Sequence, residues 1–342
     1  MCIRDRNKVV HAAQRAAFSA AIDVAINAVR GKGTEKLSEN AVKLVNLAEP
    51  LLKDRYPASA FDAARKFVSD PNGKWMQYAY RAINEINPHV LKMNALNLVY
   101  EGMFSGYNYV CELRKKYDCN MPWILLFDPT SACNLHCTGC WAAEYGNKLN
   151  LSLEELDSII RQGKELGVYF YIYSGGEPLV RKDDILRLCR MHDDCVFLAF
   201  TNATLIDEEF CQEMIRVKNF IPAISAEGDE AATDGRRGEG TYAKVEAAMD
   251  LLNSHGLPFG VSICYTHDNA PSVASHEYFD WLIEKGALFA WIFTYMPVGK
   301  DAPTSLMPTP EDRERLYRFN RRIRETKPIL TLDLSLIHIS EP

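Results

Sequence analysis

Apolar residues change their spacing near residue 120, and this change divides the chain into two parts. Over residues 7–120 they recur at helical spacing between polar and proline-containing turns, which predicts an all-helical N-terminal extension. Within this extension we expect helices over residues 39–53, 59–68, 74–85 and 88–116.

Residues 121–327 show a second rhythm, in which short apolar runs alternate with amphipathic segments of helical period. The predicted strands cover residues 123–127, 168–173, 195–201, 220–226, 258–265 and 287–295. Ser152 with Glu155 forms a predicted capping box, and Thr309 caps the last helix before Pro310. Six strand–helix units imply an α/β fold with a parallel sheet that curls into a full or partial (β/α)6 barrel. In such a fold the functional residues are expected at the carboxyl ends of the strands.

The two ends of the chain resemble translations of one sequencing-adapter repeat read in opposite directions. Residues 1–6 back-translate as ATG TGT ATA AGA GAC AG, the reverse complement of CTG TCT CTT ATA CAC AT, which encodes the start of residues 334–342. We therefore expect both segments to be artefacts. We also expect the natural protein to continue, with residues 328–333 as the start of a further C-terminal region.

Composition narrows the class of protein. The 342 residues are 47% hydrophobic and 25% charged, which is typical of a globular protein with a substantial core. The net charge of -6 gives no general attraction to nucleic acid, so no nucleic-acid partner is expected. Polar residues interrupt the first apolar segment, which argues against a membrane span. The ten cysteines lack the spacing of a secreted disulfide framework, which favours a reducing cytoplasm.

The cysteine loop, residues 133–140, is the strongest chemical signal in the chain. Cys133, Cys137 and Cys140 follow the first predicted strand and a turn at residues 128–130. Three thiolates leave a tetrahedral zinc ion one ligand short, and they leave one iron of a four-iron cluster without a cysteine. Three functions stay open on the residues alone: an enzyme that uses the open iron, an iron–sulfur electron carrier, or a structural zinc module with His136 or a distant residue as fourth ligand.

The spacing of these cysteines, followed by Gly175-Gly176-Glu177-Pro178 after the second predicted strand, resembles the radical S-adenosylmethionine (radical SAM) enzymes. The resemblance covers roughly residues 121–325 and implies a partial radical SAM barrel. It further implies that the three thiolates hold a 4Fe-4S cluster and that SAM chelates the remaining iron. An electron from a partner such as flavodoxin or ferredoxin would cleave SAM, and the 5′-deoxyadenosyl radical would abstract hydrogen from a substrate.

The same resemblance implies cofactor contacts, residue by residue. Gly175 and Gly176 let the backbone approach the methionine part of SAM, and Glu177, before Pro178, helps to bind its ammonium group. Gly139 stands where an aromatic residue is frequent, which leaves the adenine contact to the backbone.

Further contacts are implied by turns after the third and fourth strands. Thr201-Asn202-Ala203 resembles a Thr-Asn-Gly turn, with alanine in place of glycine, and places Asn202 at the cofactor. Ser225, in Ser-Ala-Glu-Gly, faces SAM, and Arg237 pairs with its carboxylate.

These two turns place the chain nearest the members that carry an auxiliary-cluster (SPASM-like) domain. The resemblance names no catalytic residue. It leaves the substrate open between a peptide and a small molecule or lipid.

Overall fold

The computed structural model describes residues 3–53, 56–142, 146, 148–298 and 302–334. Residues 1–2 and 335–342 of the adapter-like segments lie outside this range. The N-terminal part contains helices α1 Ile3–Val29, α2 Thr34–Leu52, α3 Ala58–Val68, α4 Lys74–Glu85, α5 Pro88–Ala95 and α6 Tyr107–Tyr117, with a π-helical segment at Leu96–Gly106 between α5 and α6. The predicted helical extension is thus all helical, and its last predicted helix contains the π-helical segment.

Strands and helices alternate in the rest of the chain. The strands are β1 Ile124–Phe127, β2 Phe170–Tyr173, β3 Val196–Thr201, β4 Phe220–Ser225, β5 Gly260–Tyr265, β6 Phe289–Thr294 and β7 Leu330–Asp333. The helices are α7 Leu153–Glu165, α8 Lys182–Met191, α9 Glu208–Val217, α10 Glu230–Arg237, α11 Thr241–Ser254, α12 Ala270–Val273, α13 His276–Glu284 and α14 Pro310–Thr326. Short 3-10 turns cover Pro178–Arg181 and Thr304–Leu306.

Within the described residues the sheet has seven strands in sequential order, and each strand pairs in parallel with the next. The sheet curls into an open barrel, which confirms the predicted α/β fold. The six predicted strands are all present. β7 was not predicted as a strand, because it lies in the segment assigned to a further C-terminal region.

Both faces of the sheet are apolar, as expected when helices cover a parallel sheet. Alternate strand residues pack outward against the helices in one large core that includes Tyr171, Phe197 and Ile263. The inward-facing set forms a smaller cluster around Ile172, Leu198 and Ala223. Both predicted caps are present, since Ser152 with Glu155 and Thr309 with Asp312 form complete capping boxes.

The N-terminal helices are anchored to the amino-terminal edge of the sheet by buried polar side chains. Arg81 in α4 donates to the backbone oxygens of Ile283 at 2.9 Å and Pro328 at 3.0 Å, and also to that of Ala287. The amide of Asn97 donates to the oxygens of Asp193 and Cys195, just before β3. Because these acceptors precede the strands, the helices cover one end of the barrel and leave the carboxyl edge to the loops.

No helix in the part of the chain that the structure describes combines the length and apolar character needed to cross a membrane.

We predict that Arg81→Met lowers the free energy of unfolding by about 3 kcal/mol, because buried backbone oxygens lose a charged donor. Arg161→Met is the matched control, since Arg161 is exposed and pairs with Asp157 one helical turn away. That change should cost no more than about 0.5 kcal/mol. Urea unfolding of both variants checks the prediction, and equal effects would contradict the anchoring role of Arg81.

Candidate active site

The cysteine loop lies at the carboxyl edge of the sheet, between β1 and α7. It is joined to the end of β2 by backbone hydrogen bonds. The N–H of Gly176 donates to the oxygen of Thr130 at 3.0 Å, and that of Glu177 donates to the oxygen of Ala132 at 2.8 Å. The Gly-Gly-Glu-Pro turn, residues 175–178, is therefore packed directly against the segment that leads into Cys133.

This packing explains both glycines of the turn. Gly175 has a φ of 102°, a left-handed conformation that favours glycine. A Cβ atom on Gly176 would lie 2.2 Å from the oxygen of Ala132. The close approach of the cysteine loop therefore explains why residue 176 is a glycine. Contact of either glycine with the methionine part of SAM stays a prediction.

Glu177 is buried, and its carboxylate connects the ends of two strands. Its carboxylate accepts hydrogen bonds from Thr201 Oγ1 at 2.7 Å, from the N–H of Asn202 at 2.7 Å and from the N–H of Leu179 at 2.9 Å. Burial, the largest influence, raises the pKa of Glu177, and the three hydrogen bonds act in the opposite direction. The side chain thus ties the turn after β2 to the turn after β3, and its predicted contact with the SAM ammonium group stays a prediction.

The turn after β3 reaches the cysteine loop through Asn202. The amide of Asn202 donates to Asn134 Oδ1 at 2.8 Å, and Asn134 follows Cys133 directly. Ala203 has a φ of 62°, so the turn keeps a left-handed conformation even with alanine in place of glycine. Asn134 was not singled out in the sequence, because only the folded chain brings it to Asn202.

The fourth connection comes from α10 and a buried carboxylate. Glu227, in the loop after β4, accepts hydrogen bonds from Arg236 Nη1 at 2.7 Å and from Arg237 Nε at 2.7 Å. Arg237 Nη1 lies 3.8 Å from Cys137 Sγ, and the N–H of Thr138 donates to the oxygen of Arg236 at 2.8 Å. Arg237 thus faces a cysteine of the loop, and its predicted pairing with the SAM carboxylate stays a prediction.

Charge at this corner of the site favours anionic sulfur. Burial acts to raise the pKa of Glu227, but Arg237 and Arg236 outweigh it and hold that pKa below its usual value. Burial also raises the pKa of Cys133 and of Cys137, while both arginines oppose the shift at Cys137. The two guanidinium groups therefore supply positive charge beside the Cys137 thiol.

The three cysteines are half-buried and share one loop. Across the described ranges, no three His, Cys, Asp or Glu side chains are already grouped tightly enough to hold a single metal ion. The pKa of Cys133 nonetheless responds to Cys137 and Cys140. The donor set of three thiols beside two arginines matches what a cluster of iron and sulfide requires.

The remaining predicted residues lie at the same edge. Ser225 is half-buried and is the last residue of β4. Gly139 has a φ of 66°, and the ring of Tyr295 lies against it. Cys264, near the end of β5, was given no role from the sequence, yet its N–H donates to Glu227 at 2.9 Å. Its pKa, raised by burial to about 11, also responds to Cys140.

His267, in the loop after β5, belongs to a helix cap. Its Nδ1 lies 2.7 Å from Asp312 Oδ2, and Asp312 also accepts from the N–H of Thr309 at the start of α14. The hydrogen bond with Asp312 raises the pKa of His267. This contact gives the histidine a structural partner.

Comparisons with known proteins identify the domain that contains these residues. Residues 127–271 match the sequence profile of the Radical SAM superfamily. The AdoMet-dependent heme synthase of Methanosarcina barkeri is 28% identical over 216 residues, which are 61% of this chain and 60% of that protein. The serine-type anaerobic sulfatase-maturating enzyme of Klebsiella aerogenes is 27% identical over 201 residues, which are 52% of this chain and 48% of that protein.

A solved structure gives the same result for the fold. The crystal structure of Streptococcus suis SuiB bound to S-adenosylmethionine matches with a TM-score of 0.56 and 19% identity, and the match covers 86% of this chain and 64% of that one. Residues 127–271 of this chain therefore carry a radical SAM domain. A 4Fe-4S cluster and SAM are the cofactors of that family. The chain spans less than two thirds of the length of either sequence relative.

We predict that Gly176→Ala lowers the free energy of unfolding by about 3 kcal/mol, because the added methyl group overlaps a backbone oxygen that cannot easily move. Anaerobic reconstitution should also incorporate less iron per chain. Gly235→Ala is the matched control, since a Cβ atom there meets nothing within 4 Å. Equal iron content and stability in the two variants would show that the turn tolerates a side chain.

We predict a pH-dependent contribution of His267 to stability. Because its folded pKa is raised, the stabilisation is fully present below the unfolded value of about 6.5 and is lost as the pH rises through the folded pKa. His267→Gln should therefore lower the urea midpoint at pH ~6 and have less effect at pH ~9. The exposed His89, changed to Gln, is the control. A His267 effect of equal size at both pH values would contradict this prediction.

Proposed function

We propose that the chain holds a 4Fe-4S cluster through Cys133, Cys137 and Cys140 and cleaves SAM reductively to a 5′-deoxyadenosyl radical, which abstracts hydrogen from the substrate. The observation that carries this proposal is the joining of four sequence signals at one edge of the sheet. The Gly-Gly-Glu-Pro turn, the turn at Asn202 and the end of α10 all bond to the cysteine loop or to its flanking residues.

The protein's own residues would perform three tasks. Glu177 and Asn202 hold the loop in place from below, so that the thiols are presented at the carboxyl edge. Arg236 and Arg237 stabilise negative charge at Cys137. When bound, the cluster supplies the electron that breaks the carbon–sulfur bond of SAM, and a reducing partner such as flavodoxin or ferredoxin would replace that electron.

The relatives support a broad substrate proposal. Their names concern heme synthesis and the maturation of a sulfatase, which are different reactions. We therefore propose hydrogen abstraction from a peptide, or from a small molecule or lipid. We also propose that the protein belongs to the branch with an auxiliary-cluster domain. The intact reading frame tests this last point, since a frame without a further cysteine cluster would remove it.

One observation favours a second candidate, an iron–sulfur electron carrier. Such a protein normally supplies four cysteine ligands. The pKa of Cys264 responds to Cys140, and Cys264 is half-buried at the same edge. A fourth thiolate from Cys264 would coordinate the iron to which SAM is expected to bind.

We predict that Cys137→Ala reduces the iron bound after anaerobic reconstitution from about four per chain to less than about one. Formation of 5′-deoxyadenosine from SAM under dithionite should be lost with it. Cys264→Ala should retain both the iron and the SAM cleavage. Iron analysis and chromatography of the nucleoside product measure these outcomes.

The rival functions give different results in the same assay. Loss of the cluster in Cys264→Ala, together with no SAM cleavage by the unchanged protein, would favour the electron carrier. Binding of zinc in place of iron would favour the structural module. SAM cleavage by Cys137→Ala would end the proposal.

A further inference from the structure

The lumen of the open barrel, which is bounded by the inward-facing side chains of β1–β7, is apolar along its whole depth. Among the residues of these seven strands, the side chains that alternate with the outward core and point into the lumen include no Asp, Glu, Lys, Arg or His. The only hydroxyl groups among them are those of Ser225 and Ser262, on neighbouring strands. Such a lumen offers few partners to a polar or charged ligand.

Three aromatic rings form one wall of the lumen near its carboxyl edge. The ring of Phe200 on β3 contacts those of Trp291 and Phe293 on β6, with centroids 5.7 Å and 5.6 Å apart. The rings meet across two intervening strands because the inward residues there are small, such as Ala223 on β4 and Ser262 on β5. All three rings are only half-buried, so this aromatic wall keeps apolar surface that the protein does not cover.

A second apolar surface is left uncovered on β1. Leu126 alternates with Leu125 and Phe127, which pack against the outward core, so its side chain points into the lumen. It is nevertheless 56% exposed. At the amino end of the strands the packing is tight, since a Cβ atom on Gly260 would lie 2.4 Å from the ring of Phe289. The lumen is therefore closed at the bottom and unfilled towards the carboxyl edge.

We propose that the lumen is a binding channel for an unbranched hydrocarbon chain, the acyl or alkyl chain of a lipid. The proposal rests on the proposed function, because it names a substrate class for the same site. The lumen opens at the carboxyl edge, where the cysteine loop lies, and the N-terminal helices cover its other end. A chain that entered there would lie along the aromatic wall and present methylene groups to the candidate active site.

The same apolar surface argues against a peptide in the channel. A peptide carries an N–H donor and a C=O acceptor at nearly every residue, and each needs a hydrogen-bond partner when it leaves water. The lumen provides only the two serine hydroxyl groups and Cys264, whose thiol is a weak donor. A hydrocarbon chain has no such requirement, and every methylene group that leaves water contributes to binding.

The test is the affinity of the reconstituted, unreduced protein for neutral straight-chain alcohols, measured by isothermal titration calorimetry. These alcohols carry no charge, so a series from about six to about twelve carbons isolates the contribution of the chain. We expect the association constant to rise about 3- to 4-fold for each added methylene group. The rise should stop once the chain is longer than the lumen, which is about 13 Å deep between Phe289 and Phe293 of β6.

Variants of the aromatic wall locate the binding. Phe200→Ser removes one ring, and we expect it to weaken binding of the longest alcohol about 10-fold. Phe200→Leu keeps an apolar side chain and should stay within about 3-fold of the unchanged protein. Phe67→Ser is the matched control and should leave the affinity unchanged, since Phe67 lies on α3 and is 57% exposed. The urea midpoint of each variant checks that the chain remains folded.

Each outcome decides one point. Affinity that does not depend on chain length would overturn the inference and would show that the protein's own side chains fill the lumen. Equal losses in Phe200→Ser and Phe67→Ser would place the binding elsewhere and overturn it as well. Tighter binding of the capped peptide N-acetyl-leucyl-leucinamide than of the longest alcohol would overturn the assignment to a lipid.

The proposed function is tested separately, by SAM cleavage in the unchanged protein. Absence of cleavage together with an intact dependence on chain length would overturn the proposed function and, with it, the role of the channel as a substrate site. SAM cleavage together with a length-dependent affinity that Phe200→Ser weakens and Phe67→Ser does not supports the inference.

Discussion

The site depends on one buried carboxylate, that of Glu177. The cysteine loop contains no helix or strand of its own in the described residues, so its shape must come from neighbouring loops. Glu177 joins the turn after β2 to the turn after β3, and each turn then bonds to residues beside Cys133. A second carboxylate, Glu227, binds the two arginines at the end of α10, and these arginines contact the other part of the cysteine loop. Ionic and amide contacts therefore position the loop that carries the three thiols.

The N-terminal helices complete this arrangement from the opposite end of the barrel. Their buried polar side chains bind backbone oxygens that precede β3, β6 and β7. Such oxygens would otherwise be short of donors at the amino edge of the sheet. Because the helices are held there, the carboxyl edge of the sheet is left to the loops that carry the candidate site residues.

The sequence predicted the fold well, since buried parallel strands form continuous apolar runs and the helices between them carry caps. β7 was missed because its segment was assigned to a further C-terminal region. α10 was missed because its residues, Glu-Ala-Ala-Thr-Asp-Gly-Arg-Arg, have no large apolar face. Its stability comes instead from Asp234, which accepts from the N–H groups of Gly240 and Tyr242, and from the contact of its arginines with Glu227.

The candidate site was predicted only in part. Cysteine spacing and the Gly-Gly-Glu-Pro turn are local patterns, so they can be read directly. The pairs Asn134 with Asn202 and Gly139 with Tyr295 join loops that are far apart in the chain, and neither pair leaves a local pattern. Glu227 follows Ser225 in the Ser-Ala-Glu-Gly turn, residues 225–228. Its role as the partner of both arginines became visible only when the folded chain placed α10 beside Cys137.

The close approach of Gly176 to Ala132 has a consequence for how such sequences change over time. The glycine is required by the contact between two loops, whether or not a cofactor is present. A descendant that had lost its chemistry but kept this fold would therefore retain the glycine. In this architecture the presence of the Gly-Gly pair indicates the loop conformation, whereas the presence of the cysteines indicates the chemistry.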